Sequence, residues 1–260
     1  MTILEQLAEH ARKRVAEAKE TVSLEEMKRM ALGKPKGTFA FEKALKKPGI
    51  SFICECKKAS PSKGVIADEF PYEQIALDYE DAGADAISVL TEPKWFLGKN
   101  VFLQEISQRV SIPCLRKDFT VDEYMIYEAK VLGESAVLLI CSILTEQEIR
   151  NYIKICDSLG LSALVEVHDK KEVQMAVDAE ARVIGVNNRN LKDFTVDVKN
   201  SKRLRSFVPE HILFVAESGV KTRANIEALQ EIGVDAVLIG EAMMRAVDKK
   251  EKLKKLRGCL

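Results

Sequence analysis

The chain has 260 residues, enough for a full hydrophobic core, and its 40 Lys and Arg balance 40 Asp and Glu to a formal charge of zero. That balance lacks the broad positive field of a nucleic-acid binder, so no nucleic-acid partner is expected. The longest unbroken apolar stretch, residues 136–141, is far short of the roughly 18 residues a membrane span needs, and Glu5 and Glu9 interrupt any signal peptide, so a cytoplasmic protein with no membrane partner is expected.

Residues 1–49 carry two capping-box patterns, Thr2…Glu5 and Ser23…Glu26, and the first opens an amphipathic run through Leu4, Leu7, Ala11 and Val15. They predict a helical extension with no flexible linker behind it, packed on the unit formed by residues 50–260. From residue 50, short β-branched runs alternate with helix-like segments, the pattern of a parallel sheet with crossover helices. Eight strands are predicted: 51–57, 85–90, 112–117, 136–141, 162–168, 183–187, 212–217 and 236–240. Gly83, Gly133 and Gly233 each close a helix just before an apolar strand, and they recur at multiples of 50 residues. A period of two βα units repeated four times predicts an α/β fold of the (β/α)8 TIM-barrel type with a helical N-terminal extension. The alternative, an open doubly wound sheet, would usually carry a Gly-rich dinucleotide loop after its first strand, and neither G-x-G-x-x-G nor G-x-x-x-x-G-K occurs.

Cys54, Cys56, Cys114 and Cys141 lie inside these apolar runs without paired C-x-x-C spacing and read as buried thiols rather than metal ligands. No metal cluster can be assembled. His168, beside the helix cap Asp169, reads as a strand-end residue rather than a catalytic one. Phe39 and Phe41 read as core, and Trp95 and Phe96 as a mixture of core and ligand-stacking residues.

Side-chain alternation puts Ile53, Glu55 and Lys57 on one face of the first strand. The third strand ends in Lys117, the fifth reaches Glu166 and the seventh Glu217, so all four odd strands place a charge near their C-terminal ends. In a closed barrel these ends converge, and alternate strands share layers, which brings the charges into one pocket. Asn187 and Arg189 add an amide and a permanent cation at the same rim, giving three cations against three carboxylates. The loops after strands seven and eight, with Ser218, Gly219 and Gly240, are positioned to receive a phosphate on backbone N–H groups.

The run Glu55-Cys56-Lys57-Lys58-Ala59-Ser60-Pro61-Ser62-Lys63-Gly64 closely resembles the signature of the indole-3-glycerol phosphate synthase family. Leu115–Phe119, Leu164–His168, Gly185–Leu191 and Val215–Val220 resemble its remaining motifs, in order and at the expected strands. The resemblance covers nearly the whole chain. It implies a cofactor-free step of tryptophan biosynthesis, closing 1-(2-carboxyphenylamino)-1-deoxyribulose 5-phosphate to indole-3-glycerol phosphate with loss of carbon dioxide and water. The implied partner is therefore a phosphosugar bearing an anthranilate ring. By the same resemblance Lys117 is the general acid, Glu166 the charge stabiliser and acid/base partner, and Glu55 and Lys57 serve the dehydration and hold the substrate carboxylate. Asn187, Arg189 and Glu217 orient the substrate, Ser60, Ser218, Gly219 and Gly240 cradle its phosphate, and Phe119 and Pro61 wall its ring.

Lys57 is expected to lower the pKa of Lys117 as a neighbouring cation. Three positions depart from the family pattern: Asn188, where Ser or Thr is also expected, Lys99 at the end of the Trp95–Lys99 loop, and Glu241 beside the phosphate site. A monofunctional enzyme is expected, as a monomer or weak homo-oligomer. Another phosphosugar barrel, such as phosphoribosylanthranilate isomerase or a ribulose-phosphate epimerase, and a noncatalytic binding protein on the same barrel remain as alternatives.

Overall fold

The computed structural model describes residues 2–190 and 193–259; Leu191, which ends one of the motifs above, lies outside them. Eight parallel strands close into a barrel in chain order: β1 (Ser51–Cys56), β2 (Ala86–Leu90), β3 (Cys114–Lys117), β4 (Ala136–Ile140), β5 (Ser162–Val167), β6 (Val183–Asn187), β7 (Leu213–Glu217) and β8 (Ala236–Ile239), which returns to pair with β1. A two-residue hairpin, Ala59–Ser60 with Gly64–Val65, follows β1.

Alternation along the strands divides two apolar layers. Ile53, Leu115, Leu164 and Val215 fill the interior, while Phe52, Cys54, Val165 and Phe214 face the surrounding helices. The cysteines at 54, 56, 114 and 141 are buried in that outer layer, as expected, and burial raises their thiols, that of Cys54 to about 12.

Several strand ends differ by a residue or two. Pro113 has no N–H to give the ladder, so β3 starts at Cys114, although the Pro113 carbonyl still accepts from Ile87 N at 3.0 Å. Cys141 opens a 3-10 turn instead of ending β4. Lys57, His168 and Gly240 lie one residue beyond their ladders.

Three helices precede the barrel: α1 (Ile3–Thr21), α2 (Leu24–Leu32) and α3 (Ala40–Leu45). Thr2 and Glu5 form the expected capping box on α1. At Ser23 only half of one forms, because Glu26 turns to Arg29. Helix α3 closes the N-terminal end of the barrel. Phe41 and Leu45 pack with Leu213 and Ala236, Ser51 Oγ donates to the Ala44 carbonyl at 3.2 Å, and Glu42 meets Arg182 at 2.9 Å.

Helix α1 lies along the opposite rim. Arg14 grips Asp118, just beyond β3, with two hydrogen bonds of 2.7 and 3.1 Å, His10 meets Glu92 beyond β2 at 3.1 Å, and Lys19 meets Asp122 at 2.7 Å. The chain's own first helix thus borders the strand C-termini on the side of β2 and β3. No helix among the described residues is long and apolar enough to cross a membrane.

Candidate active site

A cavity of about 560 Å³ opens at the C-terminal end of the strands, and all thirteen residues selected from the sequence line it. Glu55 and Lys57 reach it from β1 and the residue beyond, Lys117 from β3, Glu166 from β5, Asn187 from β6 and Glu217 from β7. Lys117 Nζ lies 3.2 Å from Glu166 Oε2 and 3.7 Å from Glu217 Oε2. Asn187 Nδ2 donates to the other oxygen of Glu166 at 3.2 Å, fixing the carboxylate from its far side. Lys57 is bonded directly to Glu55.

Two glycines make this crowding possible. A β-carbon at Gly185 would fall 2.2 Å from Glu217 Oε1, and one at Gly240 would fall 2.2 Å from Glu55 Oε2. Glycine at these positions leaves the space that the carboxylates occupy.

The electrostatics differ from the expectation for Lys117. Burial opposes its charge, but the carboxylates of Glu166, Glu217 and Glu55 outweigh burial and hold the ammonium above the ordinary lysine range. Lys57 does not lower it, because the Lys57 charge is matched by Glu55. Burial also opposes ionisation of Glu166, yet Lys117, His168 and the hydrogen bond from Asn187 keep it below the usual carboxylate range. Burial and then the charge of Glu166 push Glu217 up to about 8, against the pull of Lys117. Near neutral pH the floor of the cavity therefore presents an ammonium, a carboxylate and a carboxylic acid side by side. Such a set can donate a proton, stabilise positive charge and hydrogen-bond hydroxyls.

At the rim, β7 ends in a tight turn in which Ser218 and Gly219 have φ of 67° and 86°, so the chain folds back with its backbone against the cavity. Asn188 braces this turn. Its Nδ2 donates to the Ser218 carbonyl at 3.1 Å and its Oδ1 accepts from the Ser201 N–H and hydroxyl at 3.0 and 2.9 Å. Ser60 faces the same region from the hairpin after β1, and Gly240 from the end of β8. The Glu241 carboxylate accepts from Arg245 Nε at 3.2 Å, which offsets its charge beside Gly240. Arg189 is tied through its backbone N–H to Asn187 Oδ1 at 3.0 Å and through Nη1 to the Phe194 carbonyl at 3.1 Å.

The wall opposite is apolar. Phe119, Pro61, Phe96, Leu138 and Ile140 contribute, with Phe96 and Phe119 tilted together at a centroid distance of 6.1 Å. Trp95 faces away, edge-on to His10 at 5.5 Å, so of the loop pair only Phe96 reaches the cavity. Phe41 is core, as expected, whereas Phe39 is only half-buried, with the Arg182 guanidinium 5.1 Å from its ring centroid. The sequence reading missed Leu4 and Leu7, which complete this wall from α1. Their helical spacing showed a buried face without showing what it covers. Among the described residues no group of three or more His, Cys, Asp or Glu side chains is arranged to hold a metal ion.

The family model described as indole-3-glycerol phosphate synthase matches residues 4–256. A protein of that name from Ruminiclostridium cellulolyticum is 54% identical over 98% of this chain and 99% of its own length. Those from Lachnoclostridium phytofermentans and Endomicrobium trichonymphae are 48% and 50% identical, over 99% and 98% of this chain and 100% and 99% of theirs. Among solved structures, a 3-hexulose-6-phosphate synthase superposes with a TM-score of 0.66 at 16% identity, covering 81% of this chain and 100% of that one. The tryptophan synthase complex of Pyrococcus furiosus gives a TM-score of 0.61 at 14% identity, covering 80% and 98%. These two likenesses concern the fold alone; the family match and the close relatives concern the sequence as a whole, and on them the chain belongs to the indole-3-glycerol phosphate synthase family.

Proposed function

We propose that the cavity converts 1-(2-carboxyphenylamino)-1-deoxyribulose 5-phosphate to indole-3-glycerol phosphate by ring closure, decarboxylation and dehydration, as a carboxy-lyase that needs no cofactor. The observation that carries this reading is Lys117 Nζ set 3.2 Å from Glu166 Oε2 and 3.7 Å from Glu217 Oε2 on the floor of a cavity with an apolar wall on one side and the Ser218–Gly219 turn on another.

The ring carbon that bears the carboxylate attacks the ketose carbonyl carbon, and the C–O π pair moves to oxygen. Lys117 polarises that oxygen and protonates it. An alkoxide is far more basic than an ammonium, so the transfer is favourable even with Lys117 held above its usual range. Positive charge develops on the anilino nitrogen, and Glu166 stabilises it. The bond from the ring carbon to the carboxylate then breaks, its electron pair restores the ring system, and carbon dioxide leaves. Lys57, hydrogen-bonded to Glu55, protonates the departing hydroxyl, and Glu55 accepts the proton lost from the neighbouring carbon as the indole forms. In total the substrate carboxylate and one proton give carbon dioxide, water and product.

Ser60, Ser218, Gly219 and Gly240 cradle the phosphate, Asn187 and Arg189 orient the sugar, Glu217 bonds its hydroxyls, and Pro61 and Phe119 wall the anthranilate ring. Incubation with the substrate should release carbon dioxide and a fluorescent indole in equal amounts. An isomerase or epimerase would keep the carboxylate, so phosphosugar turnover without carbon dioxide would refute the proposal.

A further inference from the structure

His168 stands in the wall between two cavities. Glu166 lines the catalytic cavity, whereas His168 lines a second one of about 700 Å³ next to it, together with Glu172, Asp169, Asn200, Arg203 and, from α1, Glu5. The imidazole bridges them. Its Nε2 is shut off from solvent, 3.4 Å from Glu166 Oε1 and without a hydrogen bond, while Nδ1 lies 3.1 Å from Glu172 Oε2 and 3.2 Å from Ser142 Oγ. The residue is clamped at its backbone as well, with its N–H on Glu172 Oε2 at 2.7 Å and its carbonyl accepting from Asn200 Nδ2 at 3.1 Å. Nothing in the assigned mechanism uses this side chain.

We propose that His168 is a positioning residue that, as an imidazolium, holds Glu166 as the ionised partner of Lys117 and leaves the acid proton of the site on Glu217. This rests on the function proposed above. Two carboxylates on one lysine cannot both ionise easily when buried, and an asymmetric neighbour decides which one keeps the proton. His168 supplies that asymmetry, because it touches Glu166 directly and faces Glu217 only at longer range. Burial works against the imidazolium, but the hydrogen bond to Glu172 and the charges of Glu166, Glu172 and Glu217 raise His168 above its usual range. These interactions favour the charged ring, whose Nε2 faces Glu166 Oε1 at 3.4 Å. The other charged groups around it are Lys117 beyond Glu166, Asp169 next in sequence, and, lining the outer cavity, Glu5 from α1, Arg189 after β6, and Arg203, which Asp197 pairs at 2.7 Å.

The test is the pH dependence of kcat in wild type and His168→Gln. With the cation removed, the acidic limb of kcat should move up by about one pH unit or more, the plateau should stay within about threefold and KM should change little. In His168→Ala, imidazole added to the assay should enter the outer cavity and move the limb back. A uniform loss of kcat at all pH values with the limb in place, or an unshifted limb in either folded variant, overturns the positioning role. Wild-type turnover separates the two readings: no product from wild type removes the proposed function along with the role of His168, whereas turnover with an unshifted limb removes only the latter.

Discussion

Gly185 and Glu217 face each other across adjacent strands so closely that a methyl group on Gly185 would lie 2.2 Å from Glu217 Oε1 and 3.1 Å from Leu164 Cδ1. Gly185→Ala must therefore displace the carboxyl group from Lys117 or strain the barrel, at a cost of about 1–3 kcal/mol for overpacking. Urea unfolding together with kcat is expected to show both a lower midpoint and reduced turnover. A variant unchanged in both would mean that Glu217 has room to move without consequence.

The raised pKa of Glu217 makes stability depend on pH in a definite direction. Between its ordinary value of 4.5 and about 8, the folded chain holds a proton that the unfolded chain has released, so stability falls as pH rises through this window. Glu217→Gln abolishes that contribution. The stability of wild type minus that of the variant should decline from pH 5 to 8 with a slope of at most about 1.4 kcal/mol per pH unit. A rising or flat difference would contradict the protonated state assigned to Glu217.

Arg14→Ala removes one half of a mostly buried, two-bond ion pair and leaves Asp118 with Thr91 at 2.6 Å and Arg116 at 3.8 Å. A loss of about 3 kcal/mol is expected in denaturant unfolding. KM should rise severalfold as well, since α1 carries Leu4 and Leu7 in the cavity wall.

Arg245→Ala frees the Glu241 carboxylate next to Gly240. Competition by inorganic phosphate should weaken about threefold, equivalent to less than 1 kcal/mol for a half-exposed charge pair. Unchanged phosphate competition would place the anion elsewhere on the rim.

The charged floor of the cavity was legible in the sequence because strand parity is local. Once Ile53 points inward, so do Glu55 and Lys57, and the odd strands repeat the arrangement at Lys117, Glu166 and Glu217. Turn positions gave Ser218 and Gly240 in the same way. The charge state of Lys117 was not legible, since it depends on how three carboxylates from three strands surround one ammonium and on Lys57 being matched by Glu55. The cover provided by α1 was hidden for a related reason: the spacing of Leu4 and Leu7 marks an apolar face, while the rim that face meets is set by Arg14 reaching residues about a hundred positions away. His168 did carry a signal. It shares parity with Leu164 and Glu166, which turned its ring toward the site even though the ladder ends at Val167.

Lys117 as the proton donor of ring closure is tested by turnover of the carboxyphenylamino-deoxyribulose phosphate in the presence of chelator, followed by indole fluorescence, in wild type and Lys117→Ala. Wild type should form product rapidly and the variant should lose at least about 100-fold, with binding of a substrate analogue retained. Near wild-type turnover in Lys117→Ala, or no product from folded wild-type protein, would contradict that role.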